Sequence, residues 1–177
     1  MPYDPNIHHR RSVRLEQYDY SWAGAYFITI CSQGRAPVFG RIVDGTMQLN
    51  PCGRMVESCW VELPRHYPNA IVDSHIVMPN HTHGIIILKR PNSAQGMDAE
   101  CIPTCHSLGE IVRGLKALST RQINEAWGTM GVPVWQRGYY EHVIRGEKSL
   151  NAIREYIENN LVNWGFDPDN LDKARDR

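Results

Sequence analysis

No apolar run in the 177-residue chain approaches the ~18 residues that a transmembrane helix needs, so no membrane span is expected. The amino-terminal stretch MPYDPNIHHRRSVR contains no apolar segment of the secretory-signal kind. Cysteine is sparse: 5 residues at irregular spacing argue against a disulfide scaffold and make a reducing, cytoplasmic compartment the expectation. Net charge is absent too. With 19 basic residues against 19 acidic ones, global charge gives no sign of a nucleic-acid partner. Internal repeats and long low-complexity tracts are also lacking. What remains is an ordinary globular composition, 42% hydrophobic and 21% charged, long enough for one domain with a real core.

Charge is uneven locally. Residues 8–14 read HHRRSVR, and Arg113, Lys116, Arg121, Arg137 and Arg145 follow within one later stretch, while Asp167, Asp169, Asp172 and Asp176 crowd the end. The apolar pattern predicts a strand over 25–32 and a hairpin over 38–43 and 46–50 around Asp44-Gly45. A helix opens at Asn50-Pro51 and is expected to stop at Pro64 and Pro68. Residues 70–78 and 81–88 are two strands around Pro79-Asn80, or one kinked strand; 90–106 is a loop. Helical periodicity covers 107–126 and 147–163, with a short edge strand over 139–145 between them. This order predicts an α+β fold, a ferredoxin-like (RRM-like) sandwich of an antiparallel sheet with helices packed on one face. The expected division is a basic arm over 1–20, the folded domain over 21–165 and a polar tail over 166–177.

Chemistry concentrates in MPNHTHGIIIL. His81 and His83 are two apart, and on a strand such residues share a face. Two imidazoles on one face suit one metal ion; alone, the pair is a weak signal and more often marks ordinary core or exposed histidines. In REYIENNLVNW, Tyr156 and Asn160 are four apart and so neighbours on one helix face. They flank the apolar stripe of Ile153, Ile157 and Leu161, at the rim where helix meets sheet. Cys101, Cys105 and His106 are too few for a structural zinc site, which takes about four ligands. An HxH cupin would need an all-β barrel, which three helical segments exclude.

MPNHTHGII, the basic segment IVRGLKALSTRQIN, WQRGYYEHVIR and YIENN together resemble the single-tyrosine HUH transposases, and within them the REP-associated tyrosine transposase group. The likeness runs from about Arg10 to about Trp164. Thr82 departs from the bulky hydrophobic residue that the family carries between its histidines, and Asn160 is followed by Leu161 where the family often has Pro. The resemblance implies a single-stranded DNA endonuclease and strand transferase acting at hairpins through a 5′-phosphotyrosine. It implies Tyr156 as nucleophile, and His81, His83 and Asn160 as ligands of Mg2+ or Mn2+. It leaves open whether the protein acts as a monomer or as a homodimer with exchanged helices.

Around that centre, His142 is a candidate neighbour, and Tyr139 and Tyr140 are either core or base-stacking residues. Arg10, Arg11, Arg113, Lys116, Arg121, Trp135, Arg137 and Arg145 are candidate DNA contacts, since arginines pair with phosphates and aromatics stack on unpaired bases. The alternative function is a non-catalytic ferredoxin-like nucleic-acid-binding module, which would have no use for HxH and YxxxN together.

Overall fold

The computed structural model describes residues 22–89 and 105–166. The chain runs β1 (Gly24–Cys31), β2 (Gly40–Val43), β3 (Thr46–Leu49), α1 (Pro51–His66), β4 (Ala70–Val77), β5 (His81–Leu88), α2 (Leu108–Trp127), β6 (Tyr140–Ile144), α3 (Glu147–Glu158) and α4 (Asn160–Asn163). Four strands form one sheet in the order β4-β5-β1-β6, every neighbouring pair antiparallel. That is the order of the split βαβ, or ferredoxin-like, fold. The ribbon β2-β3 is a separate hairpin. Its turn places Asp44 at φ 50° and Gly45 at φ 72°, the two left-handed residues such a turn requires.

Helices α1 and α2 cover one face, as expected. Their stripes of Val56, Trp60, Leu63, Ile111 and Leu115 meet Tyr26, Ile28, Ile30, Ile86 and Leu88 of the sheet. Asn50 caps α1 by accepting the Gly53 N–H at 3.0 Å, with Pro51 in the first turn where no N–H is missed. Pro64 does not stop the helix. In the last turn a proline costs a single backbone bond, and α1 continues to His66, ending where Pro68 restricts Tyr67. A reciprocal Ser107/Glu110 box opens α2, and Gly128 closes it in the left-handed conformation.

The opposite face carries α3. Its Ile157 is buried against Phe27, Ile85 and Ile144, with Leu150 and Ile153 partly covered beside it. The helix expected over 147–163 is therefore two pieces. Asn159, at φ −85° and ψ 0°, leaves the helical conformation, and α4 begins afresh at Asn160. Asn160, three residues after buried Ile157, is 2% exposed, against 46% for Tyr156. The basic arm, including Arg10 and Arg11, lies outside the described residues, as do Cys101 and nearly all of the polar tail. Among the described residues no helix is long and apolar enough to cross a membrane.

Candidate active site

Strand β5 alternates, and the two sets of side chains do different work. Thr82 and Gly84 face α1. Trp60 donates its indole N–H to Thr82 Oγ1 at 2.9 Å, and Thr82 donates to the Ile76 carbonyl at 2.7 Å. A β-carbon on Gly84 would lie 2.4 Å from the Trp60 ring, so only glycine admits the indole there. This explains the polar residue between the histidines: its hydroxyl is the buried partner that Trp60 needs.

His81 and His83 project from the other face and are 0% and 3% exposed. Their Nε2 atoms are 3.0 Å apart. Asn80 holds the first ring. Its Nδ2 donates to the Arg35 carbonyl at 3.1 Å, which turns Oδ1 toward His81 Nδ1 at 2.8 Å. An amide oxygen only accepts, so His81 carries its proton on Nδ1 and keeps the Nε2 electron pair. His83 Nδ1 lies 2.8 Å from Thr29 Oγ1, a hydroxyl that both donates and accepts. Burial first, and then the neighbouring His81, push the His83 pKa down to about 3. The ring is neutral at pH 7, the form that can ligate.

The Tyr156 hydroxyl oxygen sits 3.5 Å from His83 Nε2, at the outer limit of a hydrogen bond. One turn on, Asn160 Oδ1 is buried with no hydrogen-bond partner. One turn further, the Trp164 ring lies 5.8 Å from that of His81. Asn160 thus stands in the chain midway between two residues whose rings meet His83 and His81. A buried, unpaired amide oxygen costs about 1–3 kcal/mol, an arrangement that a bound cation would offset. The donor set of two imidazole nitrogens and one amide oxygen fits a divalent metal with positions left for phosphate.

Phe27 forms the floor beside this centre. It stacks on His83 (centroids 5.4 Å apart, 26°) and meets Tyr156 and Tyr140 edge to face at 5.9 and 6.3 Å. A cleft of about 470 Å3 opens there, lined by Phe27, Thr29, His83, Gln136, Tyr140 and Tyr156 among others. His142 pairs directly with Phe27 across β1 and β6, which puts it on the same face of the sheet, exposed at the edge. Helix α3 is tied down by Arg154, whose Nε donates to Asp73 Oδ2 at 2.7 Å and Nη2 to Oδ1 at 2.5 Å.

Several expected DNA contacts are placed elsewhere. Trp135 is 5% exposed, packed on Phe39 at 4.7 Å, with its N–H donated to Ser119; it is a core residue with no free ring face. Lys116 donates to the carbonyls of Gln136, Arg137 and Gly138 at 2.6, 3.4 and 3.2 Å, so its charge holds a loop. Arg113 and Arg121 are exposed on α2, across the sheet from the histidines, and Arg121 pairs loosely with Glu125 at 3.8 Å. Arg137 and Arg145 are exposed, next to cleft-lining Gly138 and at the start of α3 respectively. Tyr139 is half-buried against the core, and Tyr140 is 46% exposed. Sequence reasoning passed over Phe27, Thr29, Asn80 and Trp164. Alternation along β1 sets Phe27 and Thr29 apart from Tyr26, Ile28 and Ile30, but their partners depend on strand register.

A ferredoxin-like sheet that brings a histidine pair to a helical tyrosine is the architecture expected of a single-tyrosine transposase. The family model described as transposase IS200 like matches residues 101–160, the stretch containing Tyr156 and Asn160. A Haemophilus influenzae protein without an assigned function is 42% identical over 176 residues, covering 93% of this chain and 95% of its own. A second protein of that organism, provisionally named a REP-associated tyrosine transposase, is 26% identical over 151 residues, covering 84% of this chain and 76% of its own. A solved REP-associated tyrosine transposase bound to a REP hairpin shares the fold, with TM-score 0.54 at 19% identity over 87% of this chain and 75% of that one. Residues 101–160 thus match the IS200-like transposase family, and the similarities support a transposase-like function.

Proposed function

We propose that the protein is a metal-dependent single-stranded DNA endonuclease and strand transferase, acting at hairpin-bearing DNA through a 5′-phosphotyrosine. The observation that carries this reading is the meeting of the Tyr156 hydroxyl with His83 Nε2, beside the Nε2 of His81, and it is supported by the unpaired buried amide oxygen of Asn160 one turn on. His81, His83 and Asn160 would hold Mg2+ or Mn2+, and the ion's contribution is to neutralise charge on the phosphate's non-bridging oxygens. Tyr156 oxygen attacks phosphorus, the tyrosine O–P bond forms, the P–O3′ bond breaks, and the leaving strand departs with a 3′-hydroxyl. The tyrosine proton is given up as the 3′-oxygen gains one. Phosphodiester energy is retained, so a second 3′-hydroxyl can displace Tyr156 and join strands without a nucleotide cofactor. Phe27 and His83 flank the tyrosine ring and fix the direction of its hydroxyl. Hairpin DNA is proposed as substrate because the REP-associated relative of shared fold is bound to a hairpin.

The test is a denaturing gel. Wild-type protein with Mn2+ and end-labelled single-stranded hairpins from DNA beside its gene should give an adduct that survives denaturant. Tyr156→Phe should abolish the adduct while keeping hairpin binding within a few-fold, and Asn160→Ala should lose it unless metal is raised. Binding without any adduct in either metal, across many hairpins, would replace this reading with that of a non-catalytic binding module.

A further inference from the structure

Resting on the proposed reaction, we infer that the cleft beside Tyr156 is a pocket for one unstacked nucleobase next to the reacting phosphate, walled by Phe27 and Tyr140 and read by Gln136. The cleft, at about 470 Å3, falls within the range of small-ligand sites, roughly 300–1,000 Å3, and suits a single nucleotide. It is continuous with His83 and Tyr156, which line it, so an occupant lies against the reacting group. Its wall is aromatic. Tyr140 stands 6.3 Å from Phe27 and keeps 46% of its surface exposed, although it belongs to a strand. An exposed aromatic ring beside a cleft that Arg35 also lines is a stacking platform, and stacking accepts any base because every base has a π-face.

Discrimination would come from Gln136. Its backbone is fully used: the N–H donates to the Cys31 carbonyl at 2.9 Å, and its carbonyl accepts from Lys116 Nζ at 2.6 Å. Gln136 lines the cleft, and its side-chain amide has no hydrogen-bond partner among the described residues. It thus presents one donor group and one acceptor from a loop whose backbone is held, which suits a base edge. Lys116 is a positioning residue for this wall. One ammonium gathers three successive carbonyls, those of residues 136–138, and so fixes the loop that carries Gln136.

The test uses the full chain and a cleavable hairpin oligonucleotide with 2-aminopurine placed singly at three positions on each side of the cleaved bond. Quenching should occur at one position adjacent to that bond, and should diminish in Tyr140→Ala and return in Tyr140→Phe. Replacing the base there with an abasic site should slow adduct formation roughly 5- to 150-fold, the equivalent of one lost base–aromatic stack. Tyr140→Ala should cost a similar factor, and the two losses together should be no worse than either alone. Gln136→Ala should lower the rate on the best substrate toward that of the others and so flatten base preference at that position. Multiplying losses, or no quenched position while adduct forms normally, would overturn the pocket. Quenching at one position without any adduct would keep the pocket and overturn the transferase reading.

Discussion

Each proton around the histidine pair has a definite place. Without metal, Thr29 donates to His83 Nδ1, His83 Nε2–H donates to His81 Nε2, and His81 Nδ1–H donates to Asn80, a neutral chain in which every partner is satisfied. Freeing both Nε2 pairs for a cation needs His83 only to change tautomer, and the Thr29 hydroxyl permits this by turning from donor to acceptor. Thr29→Val should therefore weaken Mn2+ binding about 10- to 100-fold, the usual cost of losing such an outer partner, and Thr29→Ser should keep it. Titration of the protein with Mn2+ followed by electron paramagnetic resonance measures this directly; equal affinities in wild type and Thr29→Val would sink the idea. The pairing of His81 with His83 was legible in the sequence, because strand period alone puts them on one face. The burial of Asn160 was not, since helical spacing sets it beside both exposed Tyr156 and buried Ile157 and does not say which neighbour it follows. Trp135 was misread for a related reason: an indole suits a core and a base stack equally, and only Phe39 and Ser119, distant in sequence, decide it.

At the level of elements, α3 is held by little apolar surface. Only Ile157 is fully buried, worth about 1.5–3 kcal/mol, so the bidentate Arg154–Asp73 pair is a substantial share of its attachment. Asp73 lies where the β4–β5 register shifts, between Val72 and Ser74, and such a bulge re-aims an edge-strand side chain. The pair should exceed the near-zero median of exposed ion pairs but fall short of buried ones, because Arg154 stays 38% exposed; about 1 kcal/mol is expected. A double-mutant cycle with Asp73→Asn and Arg154→Met should recover that coupling in thermal unfolding, with a loss of adduct rate in each single variant. Hydrogen bonds from Arg154 hold the Asp73 carboxyl below the usual carboxylate range. The stabilisation is then full above the unfolded pKa of about 3.9 and disappears as pH falls through the lower folded value. The Asp73→Asn deficit should accordingly be constant above pH 5 and shrink toward pH 3; a deficit that grows on acidification would contradict the assignment. Most elements were legible, since Asp44-Gly45, Asn50-Pro51 and the strand alternation are local signals. The face on which α3 lies was not. A stripe of Leu150, Ile153 and Ile157 states that something covers it, and the two-sided alternation of β1 and β5 leaves either face available.

Across the whole molecule, the arrangement favours a site completed within one chain. Ile144 and Glu147 are separated only by Arg145 and Gly146, so the end of β6 and the start of α3 are at most about 11 Å apart. An exchanged α3 would have to find a second sheet within that reach, or take β6 out of its pairing with β1. Both routes break contacts that the chain already makes with itself: Arg154 with Asp73, Ile157 with Ile85, and Tyr156 with Phe27 and His83. Mixing His83→Ala with Tyr156→Phe provides the decisive comparison. Each variant lacks one half of the site, and only a shared helix could unite an intact His83 with an intact Tyr156. In a self-contained protein the mixture gives no more adduct than its components, at any ratio and after incubation long enough for subunits to exchange. Recovery of adduct in the mixture would show that α3 crosses between chains, and the intrachain contacts of Arg154 and Ile157 would then have to be remade between partners.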